Sequence, residues 1–129
     1  MDKTLNYLGI DWGEKRIGLA TADSEVKLAL PLKTVANLAE VLSVIKEEAT
    51  NIIILGAPQK MSGEAANNPD WLSFVAQLKE KSGLPVETID ERLSSLAADA
   101  LGGEANETAG RDEIAASIIL QNYLDKFNV

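Results

Sequence analysis

Asp11, Asp112 and the adjacent pair Asp90-Glu91 are the residues of this chain best placed to do chemistry, because each stands where a strand or helix gains little from a charge. The 129 residues include no histidine and no cysteine. Those two zeros exclude Ser-His-Asp and Cys-His catalysis, a disulfide framework, and zinc sites built on imidazole or thiolate. Carboxylates, hydroxyls, Lys and Arg remain. A group of carboxylates is an oxygen-donor set, which selects Mg²⁺ or Mn²⁺. Ions held in this way activate water and stabilise the leaving oxygen of a phosphodiester. The pattern therefore points to one divalent-cation site and to phosphodiester hydrolysis.

Each carboxylate also has a plain structural role. Asp11 closes a first strand, where alternation groups it with Tyr7 and Gly9 and opposes it to Leu8 and Ile10. It could equally open an Asx turn. Gly9 beside it and Gly18 in the facing strand leave room for another backbone or a ligand. Asp90 and Glu91 leave the last strand on opposite faces, so only one of them can share a site with Asp11; the alternative is a solvated strand exit in which Glu91 pairs with Arg92. Asp112 opens the final helix in line with Ala115, Ala116, Ile119 and Leu120, on the packed face. Its alternative is a first-turn acid favoured by the helix macrodipole, worth roughly 0.3 to 1 kcal/mol. An ionised carboxylate facing the interior is costly unless it is paired or binds a metal.

The elements that must position these groups follow from periodicity. Leu5 to Asp11 and Arg16 to Asp23 predict two antiparallel strands joined by a Gly-containing hairpin. Ala29 to Val35 predicts a third strand, and the missing N–H of Pro31 places that end at an edge or outside the ladder. Asn37 is an N-cap for an amphipathic helix whose apolar stripe is Leu38, Val41, Leu42, Ile45 and Ala49. The apolar run from Ile52 to Leu55 predicts a central, parallel strand, and Gly56 to Pro69 a functional loop. Trp71, Phe74, Val75 and Leu78 mark a second helix ending at Gly83. Pro85 to Ile89 is a last strand, Leu93 to Leu101 a short helix, and Arg111 to Lys126 a final helix; Gly102 to Gly110 has the composition of a mobile segment. The expected architecture is α/β, a mixed five-stranded sheet flanked by helices.

Length sets one domain over residues 1–129, and the 46% hydrophobic and 25% charged content supplies a core. Lys and Arg number 12 against 20 Asp and Glu, a formal net charge of −8, so nucleic-acid contact has to be local rather than a broad electrostatic grip. No stretch approaches the roughly 18 apolar residues needed to span a bilayer and no signal-type start is present, which makes cytoplasm the expected compartment and a membrane partner unexpected.

The segment Gly9-Ile10-Asp11-Trp12-Gly13-Glu14-Lys15-Arg16-Ile17-Gly18 resembles the opening motif of the YqgF/RuvX family of Holliday-junction-resolvase-like nucleases in the RNase H-like superfamily. The resemblance continues through Ala29-Leu30-Pro31-Leu32, Leu55-Gly56-Ala57-Pro58, Met61-Ser62-Gly63-Glu64, Asp90-Glu91-Arg92-Leu93-Ser94, and Asp112 with Ala115-Ala116 and Leu120-Gln121, nearly the whole chain in family order. It implies an RNase H-like fold and an acidic triad of Asp11, Glu91 and Asp112 that binds Mg²⁺ or Mn²⁺. It also implies a bacterial nuclease that processes the 5′ end of pre-16S rRNA, with branched DNA as the older substrate proposal. Lys15, Arg16, Lys60, Arg92 and Arg111 then become local phosphate contacts. Monomer and homodimer are both compatible with this reading. A Holliday junction resolvase, and a non-catalytic protein of ribosome assembly or transcription, stand as alternatives. The triad discriminates against the latter, since a binding module has no use for converging, mutually repelling carboxylates. The hairpin is also similar to the phosphate hairpin of sugar kinases and actin-like ATPases, but those clasp nucleotide between two such domains, and no Walker-type loop occurs here.

Overall fold

A computed structural model of the chain describes residues 4–57, 69–90 and 111–126. Their elements are, in order, β1 (Asn6–Trp12), β2 (Ile17–Asp23), β3 (Leu30–Val35), α1 (Leu38–Glu47), β4 (Ile52–Ala57), α2 (Pro69–Ser82), β5 (Val86–Asp90) and α3 (Arg111–Lys126). The five strands form one mixed sheet in the order β3-β2-β1-β4-β5. β1 and β2 pair antiparallel from Trp12↔Ile17 to Asn6↔Asp23, as a short Gly-containing connection requires. β3 pairs antiparallel with β2 and takes the edge, where the missing N–H of Pro31 costs least; the register shifts between Leu19 and Ala20. β4 runs parallel to both β1 and β5.

Period-2 alternation sorts the side chains into two packed layers. Leu8 and Ile10 of β1, Ile17 and Leu19 of β2, and Ile53 and Leu55 of β4 bury against Val41, Val44 and Ile45 of α1 and Trp71, Phe74, Val75 and Leu78 of α2. On the other face, Ala20 and Ile54 bury against Ala116, Ile119, Leu120 and Leu124 of α3, with Tyr7, Ile52 and Ile89 at the margin. Among the described residues, one face thus carries two helices and the other carries α3, in keeping with the binary patterning of the two strand faces.

Three sequence expectations change. The middle strand is β1, because it takes its hairpin partner on one edge and β4 on the other; β4 is interior but not central. Gly56 and Ala57 belong to β4, opposite Ile89 and Asp90, rather than to the following loop. Ala49 leaves the stripe of α1 and Val44 is buried in its place. The N-cap is as expected: the Asn37 side chain accepts from the Glu40 N–H at 3.0 Å, and Glu40 reaches back to the Ala36 N–H at 2.6 Å. At the other end, Thr50 N–H donates to Ile45 C=O at 3.0 Å and Ala49 N–H to Lys46 C=O at 3.2 Å, a Schellman closure that holds Ala49 at φ 52°. The loop at 58–68, the short helix at 93–101 and the segment 102–110 lie outside the described residues.

Candidate active site

β1, β4 and β5 are parallel, so their C-terminal ends share one end of the sheet. Register carries Ile10 to Leu55 and Leu55 to Thr88, which levels Asp11 with Gly56 and Ile89, one step before the pair Ala57↔Asp90. The carboxyl ends of the strands are where open α/β sheets take their ligands. Asp11, one residue before the end of β1 at Trp12, therefore lies at the right end of the sheet, and Asp90 closes β5 at nearly the same level.

The face is settled by glycine. A Cβ on Gly9 would come within 2.8 Å of the Leu120 Cβ and 3.0 Å of the Ala116 carbonyl oxygen. A Cβ on Gly18 would come within 2.0 Å of the Asp112 carbonyl oxygen and 2.9 Å of the Asp112 Cβ. The first turn of α3 thus lies directly on Gly18, and Gly18 is the register partner of Asp11. Cross-strand Cα partners are about 4.5 to 5.5 Å apart, so Asp11 and Asp112, 101 positions apart in the chain, are spatial neighbours on the α3 face. The room that sequence reasoning reserved for a backbone or a ligand is filled by the helix backbone.

Arg16 completes this corner. Its Nε donates to Asp112 Oδ2 at 2.8 Å, with the Arg16 side chain 68% exposed and that of Asp112 only 23% exposed. Gly13, Glu14, Lys15, Arg16 and Asp112 line a shallow depression beside the hairpin turn, with Lys15 exposed. Sequence reasoning assigned Arg16 to phosphate and missed its bond to Asp112; no local signal links residues 96 positions apart. Among the described residues, no three His, Cys, Asp or Glu gather as a metal cage. Glu91, Lys60 and Arg92 lie outside the described residues, and Arg111 is the first residue of α3.

At the far end of α3, Tyr123 stacks at a tilt on Tyr7 with ring centroids 6.3 Å apart. Burial pushes its phenol above the ordinary value, and the nearby Glu87 carboxylate adds to the rise.

A sequence model described as "RuvX: Holliday junction resolvase" matches residues 5–126. The chain belongs to the RuvX family. It is 38% identical to a protein of Anaeromyxobacter sp. (strain Fw109-5) over 94% of this chain and 97% of that one, and 36% identical to one of Chloroflexus aurantiacus over 92% and 85%. A protein of Desulforamulus reducens is 32% identical over 94% and 97%. All three are named as candidate pre-16S rRNA nucleases. Among solved structures, Thermus thermophilus RuvC in complex with a Holliday junction substrate superposes with a TM-score of 0.64 at 18% identity, covering 96% of this chain and 97% of that one. A further T. thermophilus RuvC structure gives 0.55 at 17% identity. The fold of this RuvX chain is accordingly RNase H-like, as the YqgF/RuvX resemblance implied. These relatives are named as nucleases, enzymes that hydrolyse phosphodiester bonds. No helix among the described residues is long and apolar enough to cross a membrane.

Proposed function

We propose that this chain is a single-domain, divalent-metal-dependent endonuclease of the bacterial cytoplasm that cuts structured nucleic acid, with the 5′ end of pre-16S rRNA as its substrate. One observation carries the reading: α3 sits on Gly18 and so brings Asp112 beside the strand position of Asp11. Two carboxylates drawn together at a strand end repel one another, a cost that a divalent cation offsets. The donor chemistry fits Mg²⁺ or Mn²⁺, since both groups are hard oxygen donors and the chain has no His or Cys to recruit zinc. Glu91 is the third ligand of the proposal. It directly follows β5, and Ile89, two residues earlier, packs on the α3 side of the sheet.

A divalent cation at this site supplies Lewis-acid activation of water and neutralises charge on the scissile phosphate. The residues do the rest. Asp11, Glu91 and Asp112 hold the site at one end of a sheet whose central strand is rigidly packed, and Lys15, Arg16, Lys60, Arg92 and Arg111 contact flanking phosphates without reading bases. No imidazole is available as general base. The RNA substrate is supported by the names of relatives that match across more than nine-tenths of this chain. The description of the family keeps four-way DNA junctions as the comparison substrate.

The test is cleavage of a labelled small-subunit rRNA precursor and a four-way DNA junction side by side, in Mn²⁺ and in EDTA. Wild-type protein is expected to cut the RNA only with metal, and Asp11→Asn to abolish cutting while melting within a few degrees of wild type. Normal turnover by folded Asp11→Asn protein would sink the mechanism. A folded wild type that cuts neither substrate would leave a binding protein.

A further inference from the structure

We propose that Arg16 is a latch that competes with the divalent cation for Asp112 and, once displaced, turns onto a flanking phosphate of the bound strand. The inference rests on the reading of Asp112 as a metal ligand. In this structure the Arg16 guanidinium holds Asp112 Oδ2 through Nε alone, at 2.8 Å. Arg16 is the last residue before β2, its side chain is 68% exposed, and it lines the depression that ends at Asp112. Among the described residues that one bond is what holds the long side chain, and exposed ion pairs of this kind contribute little.

A cation on Asp112 changes the balance. Guanidinium and divalent ion then carry like charge around one carboxylate, and even at high effective dielectric this repulsion amounts to roughly a tenfold change in affinity at about 5 Å. The guanidinium has a planar fork of donors matched to phosphate oxygens, which an incoming strand supplies at the same depression. Metal and nucleic acid thereby become coupled: the cation releases Arg16, and the phosphate takes it up. Without metal, the same bond neutralises Asp112 and lowers its repulsion with Asp11.

The latch predicts changes of opposite sign from one substitution. In full-length Arg16→Gln protein, Mn²⁺ titrated calorimetrically without nucleic acid should bind about tenfold more tightly than in wild type. A fluorescent stem-loop RNA titrated in Ca²⁺ should bind severalfold more weakly. Arg16→Lys, which keeps the charge, should hold Mn²⁺ affinity near the wild-type value. Because Arg16 is exposed, its variants should melt within a few degrees of wild type, Arg16→Gln slightly lower, whereas a purely structural role would not bring opposed affinities. Unchanged or weaker Mn²⁺ binding in Arg16→Gln, or unchanged RNA binding, would overturn the latch. Asp112→Asn separates the two claims. If it abolishes Mn²⁺ binding while Arg16→Gln fails to tighten it, the metal site stands and the latch falls. If it leaves Mn²⁺ affinity at the wild-type level, the metal-site reading fails and takes the latch with it.

Discussion

Gly18→Ala puts the argument for the site under the greatest strain. The added methyl would meet the Asp112 carbonyl oxygen at 2.0 Å and its carbonyl carbon at 2.3 Å, both backbone atoms that cannot swing aside. Ordinary contact begins near 3.4 Å, so the first turn of α3 must retreat by about 1.4 Å or the β1-β2 ladder must distort. Overpacking of this kind costs about 1 to 3 kcal/mol, which a domain of ordinary stability survives. The damage to the site is larger, because a misplacement of about 1 Å costs on the order of a hundredfold in rate. Gly9→Ala is the control. Its methyl would meet the Leu120 Cβ at 2.8 Å, a shortfall of about 0.6 Å met further along α3, two turns from Asp112. Cleavage rate, calorimetric Mn²⁺ affinity and urea denaturation should be measured on both. The expected pattern is a loss of about two orders of magnitude in cleavage, with weakened Mn²⁺ binding, for Gly18→Ala and a much smaller loss for Gly9→Ala. Full cleavage and unchanged Mn²⁺ affinity in Gly18→Ala would refute the claim that the seat of α3 on Gly18 assembles the site.

Asn37→Ala removes the acceptor that holds the Glu40 N–H and should cost about 1 kcal/mol in chemical denaturation, with no effect on Mn²⁺ affinity. Ala49→Gly should stabilise by about 0.5 to 1 kcal/mol, because glycine relieves the left-handed strain at φ 52° but gains freedom in the unfolded chain; a lower denaturation midpoint would contradict the Schellman closure of α1. The chain has two tyrosines, and burial beside Glu87 raises the pKa of Tyr123. The phenol thus holds its proton more tightly folded than unfolded, which contributes stability below the unfolded value near 10 that is lost as pH rises through the folded value. Phenolate absorbance should show a component titrating above the usual range, and Tyr123→Phe should remove it.

The fold was legible wherever local periodicity and burial agree. The helix from Arg111 to Lys126, the stripe of α2 and the Asn37 cap follow from spacing that only one secondary structure satisfies. Ala49 misled because it lies four residues beyond Ile45, a helical interval, while the left-handed turn that ends α1 is closed by alanine without the glycine that usually announces it. The rank of β1 and β4 in the sheet was hidden because both are apolar enough to be interior, and pairing is a long-range property that neither run encodes alone. In the site, the face of Asp11 was readable from alternation, and the small residues Gly9 and Gly18 announced a close approach. That the approaching backbone is the start of α3 was not readable, nor was the bond from Arg16.

Those two glycines explain how residues so far apart in sequence come to lie at one place. Asp11 is fixed by strand pairing, with Gly18 opposite it and Leu8 and Ile10 fully buried beneath its strand. Asp112 is fixed by helix packing, through Ala116, Ile119 and Leu120 against the other face of the same sheet. Neither constraint alone sets the separation of the carboxylates; it is set by how deeply α3 sinks, and that depth is limited by what stands at positions 9 and 18. A chain with net charge −8 gains nothing from a broad field toward nucleic acid, so its grip depends on that local geometry. Charge alone would drive the two acids apart; the packing of α3 and the Arg16 bond to Asp112 both oppose that repulsion. The stability spent in holding them together is what a divalent cation would recover, so added Mn²⁺ should raise the melting temperature of wild type and leave that of Asp112→Asn unmoved.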